Sequence, residues 1–222
     1  MIKKIISTMV RLFFGLFLYA LGLVLAINSN IGLSPWDVFG QGISKTLNIT
    51  MGHATISVGF VIILINFILG EKIGWGTIFN MIFIGEFMDL LMLNRIIPVS
   101  ANLVVSVIMM FCGVMVIALA TFLYIGAELG TGPRDGLMVA LTRKTNKSVR
   151  VVRSVIEISA LIVGYLLGGF VGIGTIIMAF SVGHAVQFVF RLFKFDVSKV
   201  NHRYILDDII FVKNSFSSQE SK

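Results

Sequence analysis

Two six-residue segments hold the residue types best suited to gripping a polar solute. They are Gly32-Leu33-Ser34-Pro35-Trp36-Asp37 and Gly130-Thr131-Gly132-Pro133-Arg134-Asp135. In each, Ser34 or Gly132 suits an N-cap, and the proline suits the first helical position, where its missing N–H costs nothing. The aspartate then falls about three residues past the cap, where its carboxylate can accept free backbone N–H groups. On a structural reading, each segment is a helix start closed by its own Asp. On a functional reading, each helix start points free N–H groups and a positive dipole end at an anionic or polar solute. Asp37 and Asp135 then tune that site or carry a proton. The readings are compatible, and Ser34, Pro35, Asp37, Pro133, Arg134 and Asp135 are candidate site residues.

A second set of polar residues interrupts apolar runs. Glu86 and His184 each fall near the middle of such a run, with Asp89 and Gln187 one turn further on and Asn80 about two turns before Glu86. An ionisable group at mid-bilayer costs at least about 2.5–3.5 kcal/mol on insertion scales, so it needs a partner or a wet cavity. The expectation is a Glu86–His184 pair. It serves either as a static helix–helix contact or as a proton relay or substrate contact, because His titrates near neutral pH. Glu157 can pair with Arg153 one turn earlier. No His/Cys cluster has metal-ligand spacing, no catalytic set is evident, and no cofactor is implied. Gly74-Trp75-Gly76-Thr77 and Gly172-Ile173-Gly174-Thr175 lack the Lys of a phosphate loop and read as tight turns. Gly164 and Gly168 form a small-residue seam. His53 reads as interfacial and Cys112 as a packing or lipid-facing residue.

The elements that must position these residues follow from composition. The chain has 222 residues, 57% hydrophobic and 13% charged. Soluble domains run nearer half apolar and a quarter charged, so the solvent around most of this chain is lipid. Six runs approach the roughly 20 apolar residues that span a bilayer, at about 9–27, 54–69, 76–93, 103–125, 151–167 and 173–193. The second and fifth are short. Residues 30–50 and 128–148 each hold a short Pro-initiated helix that does not cross. The membrane domain covers 1–195. Residues 196–222 form a tail with an apolar and acidic patch at Tyr204–Ile210, ending in a Ser-rich run expected to be disordered.

Shifted by about 98 residues, the sequence lies on itself without a gap. Gly15 falls on Gly113, Gly32 on Gly130, Pro35 on Pro133, Asp37 on Asp135, Asn48 on Asn146, Gly70 on Gly168 and Gly85 on Gly183. Chance matching of apolar segments repeats Leu, Ile and Val, whereas these matches are residues that fix backbone geometry. Glu86 and His184 occupy equivalent positions, as do Asp89 and Gln187.

The repeats run from about 9 to 93 and from about 103 to 193. Three spans per repeat is an odd number, so the second copy inserts in the opposite sense. With the N-terminus cytoplasmic, the outside segments hold only Lys45 and Arg95, and every other Lys and Arg lies inside. The C-terminus is then cytoplasmic too. The net charge of +7 reports this topology and contact with anionic lipid on the cytoplasmic side, with no need for nucleic acid.

The expected architecture is therefore an all-α polytopic membrane protein of about six transmembrane helices, in two inverted three-helix repeats. Such repeats recur in secondary transporters. The expected function is a secondary transporter or exporter of a small polar or anionic solute by alternating access. The chain acts alone or as a homodimer. The rival expectation is a non-transporting accessory or assembly factor that docks through its tail.

At residues 32–37, with the downstream Gly74-Trp75-Gly76-Thr77 turn, the chain resembles the bacterial YczE-type membrane protein family and, more loosely, YitT-type proteins. The resemblance spans nearly the whole chain to about Phe195. It implies a multi-pass protein of the bacterial inner membrane and brings no settled substrate. The soluble domain typical of YitT-type chains does not fit in the short tail, so a regulatory role is not carried over.

Overall fold

A computed structural model describes residues 2–208, and the Ser-rich end of the tail lies outside them. Every regular element among the described residues is helical. In order they are α1 (Ile2–Asn28), α2 (Pro35–Leu47), α3 (Met51–Ile68), α4 (Trp75–Leu93), α5 (Leu103–Ile125), α6 (Pro133–Thr145), α7 (Val149–Leu166) and α8 (Ile173–Leu192), followed by a 3-10 turn at Val197–Lys199. Helices α1, α3, α4, α5 and α8 are long and apolar enough to cross a membrane. The fifth expected span, 151–167, forms as α7, but Arg150, Arg153 and Glu157 set it apart from those five. Outward faces carry Phe67, Ile68, Leu103, Ile173 and Phe180, each at least 70% exposed. Lipid solvates such a surface, and the helices satisfy their own backbone groups within it.

The 98-residue spacing reappears in the element bounds. α2 and α3 match α6 and α7 residue for residue at that offset. Asn48 and Asn146 end α2 and α6 in the left-handed region. Packing is reciprocal as well. α1 lies against α4 and α5 against α8, while α2 packs on α7 and α6 on α3. α1 and α5 cross closely, since a Cβ built on Gly22 meets Gly113 O at 2.9 Å and one on Gly113 meets Gly22 O at 2.8 Å. The predicted Gly164–Gly168 seam is half right. Gly164 lets α7 approach α2, its Cβ position lying 2.4 Å from Phe39 N. Gly168 instead turns the chain at φ +88° with nothing within 4 Å, and its carbonyl accepts from Lys45 Nζ at 2.8 Å.

One part of the packing is not reciprocal. α3 packs along α4, whereas α7 and α8 have no comparable contact. A Cβ on Gly85 meets Ile56 Cγ1 at 2.5 Å and Gly52 O at 2.7 Å, while one on its repeat mate Gly183 meets nothing within 4 Å. Asp89 fastens the closed pair. It accepts from Gly52 N–H at 2.8 Å and from the Thr50 hydroxyl, the N-cap of α3. Its mate Gln187 is exposed.

The tail folds back onto the loops. Arg203 N–H donates to Glu128 O at 2.8 Å and Ile205 N–H to Ile73 O at 3.0 Å. Gly130 N–H donates to His202 Nδ1 at 3.3 Å, Trp75 Nε1 donates to Asp208 at 3.1 Å, and Lys72 lies over the Tyr204 ring. Burial pushes the His202 imidazole below its usual pKa, with Glu128 opposing.

Two outcomes follow from this packing. Gly85→Leu overpacks the α3–α4 contact and lowers stability by about 1–3 kcal/mol; Gly183→Leu leaves it unchanged, as thermal unfolding of the purified variants will show. The docked tail needs neutral His202 as an acceptor. Docking is therefore full above the free imidazole value of about 6.5 and weakens as pH falls through it toward the lowered docked value. Trp75 fluorescence in a Trp36→Phe background reads this, and a signal flat across that range contradicts it.

Candidate functional site

The two Pro-initiated segments build one site. Residues just before α2 and α6 are extended, and each extended stretch is clamped to the start of a helix from the other half. Gly174 N–H donates to Ile31 O at 2.8 Å, and Gly76 N–H donates to Leu129 O at 2.7 Å. Leu33 N–H reaches the Thr175 hydroxyl at 3.2 Å, and the Thr77 hydroxyl donates to Thr131 O at 2.7 Å. These bonds satisfy backbone that no helix or sheet would pair. They also hold the mouths of α2 and α6 toward each other.

Between the mouths lies a cavity of about 180 Å³. All eight helices line it. Ser34, Pro35 and Trp36 come from the mouth of α2, and Gly132, Pro133, Arg134 and Asp135 from that of α6. Tyr19, Asn80, Tyr124, Arg153 and Glu157 add further polar groups, and Leu23, Ile84, Ile117, Met138 and Met178 supply apolar wall. The Arg134 guanidinium sits 4.9 Å over the Trp36 ring, a favourable cation–π geometry. Trp36 and Arg134 are repeat mates, so the two halves meet here. Arg153 and Glu157 form the expected i,i+4 pair at 2.9 Å.

The two mouths differ in capping. At α2, Ser34 Oγ accepts from Asp37 N–H at 3.3 Å and donates to Asp37 Oδ2 at 2.5 Å. The capping reading of this segment is thus met by geometry. Asp37 is 2% exposed and lies behind the cavity lining, and its Oδ1 has no hydrogen-bond partner among the described residues. A buried carboxylate oxygen without a partner is costly, which marks Asp37 as a proton-carrying candidate. At α6 the cap is Gly132, which offers no side-chain acceptor. Asp135 turns its carboxylate to the Tyr124 hydroxyl, which donates at 3.1 Å.

Of the sequence-predicted residues, Ser34, Pro35, Asn80, Pro133, Arg134 and Asp135 line this cavity. Asp37 lies just behind the lining, and Glu86, Asp89, His184 and Gln187 lie elsewhere. Glu86 and His184 do not meet. Both are exposed, and His184 Nδ1 is 2.7 Å from Phe180 O on its own helix. His184 borders a separate, mainly apolar groove of about 470 Å³ between α5 and α8. Asp89 serves the start of α3, and Gln187 is exposed. Sequence reading missed Tyr19, Trp36, Tyr124, Arg153 and Glu157 as lining residues. The available signal was a phenol in an apolar span, at Tyr19 and Tyr124, because a buried Tyr hydroxyl needs a partner.

A family of unknown function, DUF6198, matches residues 6–191. An uncharacterized protein of Haemophilus influenzae is 35% identical over 186 residues, 84% of each chain. The uncharacterized membrane protein YczE of Bacillus subtilis is 34% identical over 180 residues, 79% of this chain and 82% of its own. The uncharacterized protein YyaS of the same organism is 26% identical over 168 residues. No solved structure matches. With its apolar helices and this coverage, the chain is a membrane protein that belongs to the DUF6198 family.

Proposed function

We propose that the chain is a small secondary carrier, working by alternating access in the bacterial inner membrane on a small polar solute. The observation that carries this reading is the cavity between two facing half-helix mouths, built from both halves of the chain. In the proposed arrangement the halves insert in opposite senses, with both termini cytoplasmic, and catalysis plays no part. Inverted halves can exchange conformations at little cost in energy, which is the basis of alternating access.

The α3–α4 and α7–α8 asymmetry supports the reading. In the proposed orientation the closed α3–α4 contact lies on the outer side and the parted α7–α8 pair on the cytoplasmic side. The alternative state exchanges them. Gly183 then packs against α7 as Gly85 now packs against α3, and Gln187 takes the place of Asp89 at the Ser148 cap.

Reconstituted flux with a solute panel and a pH gradient tests the proposal. Gly183→Leu overpacks only the alternative state; at about 1–3 kcal/mol it lowers that population about 5- to 150-fold. Flux is expected to fall within that range while thermal stability holds. Asp37→Asn is expected to abolish any dependence on the pH gradient. Parental flux in both variants contradicts the proposal.

A further inference from the structure

The cavity lining carries four formal charges, on Arg134, Asp135, Arg153 and Glu157. Arg153 and Glu157 pair with each other at 2.9 Å. Arg134 makes no ion pair among the described residues; its guanidinium lies over the Trp36 ring, and its charge acts at longer range on Asp135 and the buried Asp37. Among the described residues, the Asp135 carboxylate is hydrogen-bonded through Oδ2, to Tyr124. Arg134 and Asp135 are adjacent on one helix, where side chains point about 100° apart, and they make no direct ion pair. The lining groups left without an ion-pair partner among the described residues are therefore one cation and one anion. A net anion bound here leaves Asp135 unopposed, and a net cation leaves Arg134 unopposed, either of which is costly away from water.

Position sharpens this. A Cβ built on Gly132 lies 3.5 Å from Asp135 Oδ2, 3.6 Å from Asn80 Oδ1 and 3.6 Å from the Tyr124 hydroxyl. Three oxygens thus converge on the cap of α6. In the same turn the N–H groups of Arg134 and Asp135 have no intrahelical acceptor, and Gly132 supplies no side chain to take them. Acceptors and donors share one turn of helix, which suits a ligand whose ammonium and carboxylate share one carbon. The volume of about 180 Å³ compares with roughly 150 Å³ for a cavity that admits benzene. It holds about six to nine non-hydrogen atoms on that scale.

We propose that the site takes a small α-amino acid as its zwitterion, with the carboxylate on Arg134 and the open N–H groups of α6 and the ammonium on Asp135, Asn80 and Tyr124. The proposal rests on reading this cavity as the solute site and narrows the solute class.

Isothermal titration of the full chain in nanodiscs tests it, with L-alanine, propionate and ethylamine as probes. Alanine is expected to bind about tenfold or more tightly than either partial analogue, because each leaves one buried charge unmatched. Asp135→Asn is expected to erase the preference over propionate, and Arg134→Gln the preference over ethylamine. The parent protein decides the matter even if a variant misfolds. Propionate or ethylamine binding as tightly as alanine, or no binding by alanine, overturns the proposal. Counterflow of labelled alanine in proteoliposomes separates the two readings. Alanine binding without flux overturns the carrier and leaves the amino-acid site standing. Flux of propionate unaffected by alanine overturns the amino-acid site and leaves the carrier standing.

Discussion

Everything in this molecule depends on how two extended backbone stretches are satisfied inside an apolar protein. Residues just ahead of α2 and α6 have neither helix nor sheet to pair them, and lipid offers no hydrogen bonds. Each is held by the other half of the chain, through Gly174 N–H on Ile31 O and Gly76 N–H on Leu129 O. Glycine two residues before each donor is a matter of room, since a Cβ on Gly74 falls 2.1 Å from Leu129 O and one on Gly172 falls 2.3 Å from Ile31 O. The crossed clamps fix where α2 and α6 begin, and so where their free N–H groups point. The cavity is the space these clamps leave between the two mouths.

The clamps are matched, but the arms they support are not. On one side α3 and α4 close glycine to glycine, fastened by Asp89. On the other, Gly183 faces open space. The contact is not written identically in the two copies, since Gly52 and Ile56 on α3 have Arg150 and Ser154 as repeat mates on α7. In the proposed carrier the open pair is one of two exchangeable states. The replacement of Asp89 by Gln187 means that the two fastenings differ in strength, because a carboxylate accepting N–H and O–H bonds is a stronger partner than an amide.

Much of the fold was legible because the repeat is written in residues with backbone duties. Gly32, Pro35 and Asn48 each recur 98 residues later with the same local role, while the recurring Asp37 and Asp135 take different partners. The half-helix starts were legible for the same reason. The Glu86–His184 pairing was not. Equivalent residues meet only where the two halves face each other. Trp36 and Arg134 lie there and touch, while Glu86 and His184 are exposed and do not meet. A one-dimensional alignment shows equivalence without showing distance in space. The charge on α7 was visible in the sequence, yet its meaning was not. Arg153 and Glu157 line the cavity from a helix more charged than the five apolar spans.

In the proposed cycle the chain exchanges an open α7–α8 contact for an open α3–α4 contact. Spin labels at Val151 and Phe188 report the first and labels at the repeat mates His53 and Leu90 the second, all four sites being exposed. With Cys112 replaced by Ser, pulsed dipolar spectroscopy measures both separations. Two distances are expected for each pair, with the short α7–α8 distance populated when the α3–α4 distance is long. A single, unchanging α7–α8 separation, with and without solute, contradicts the cycle.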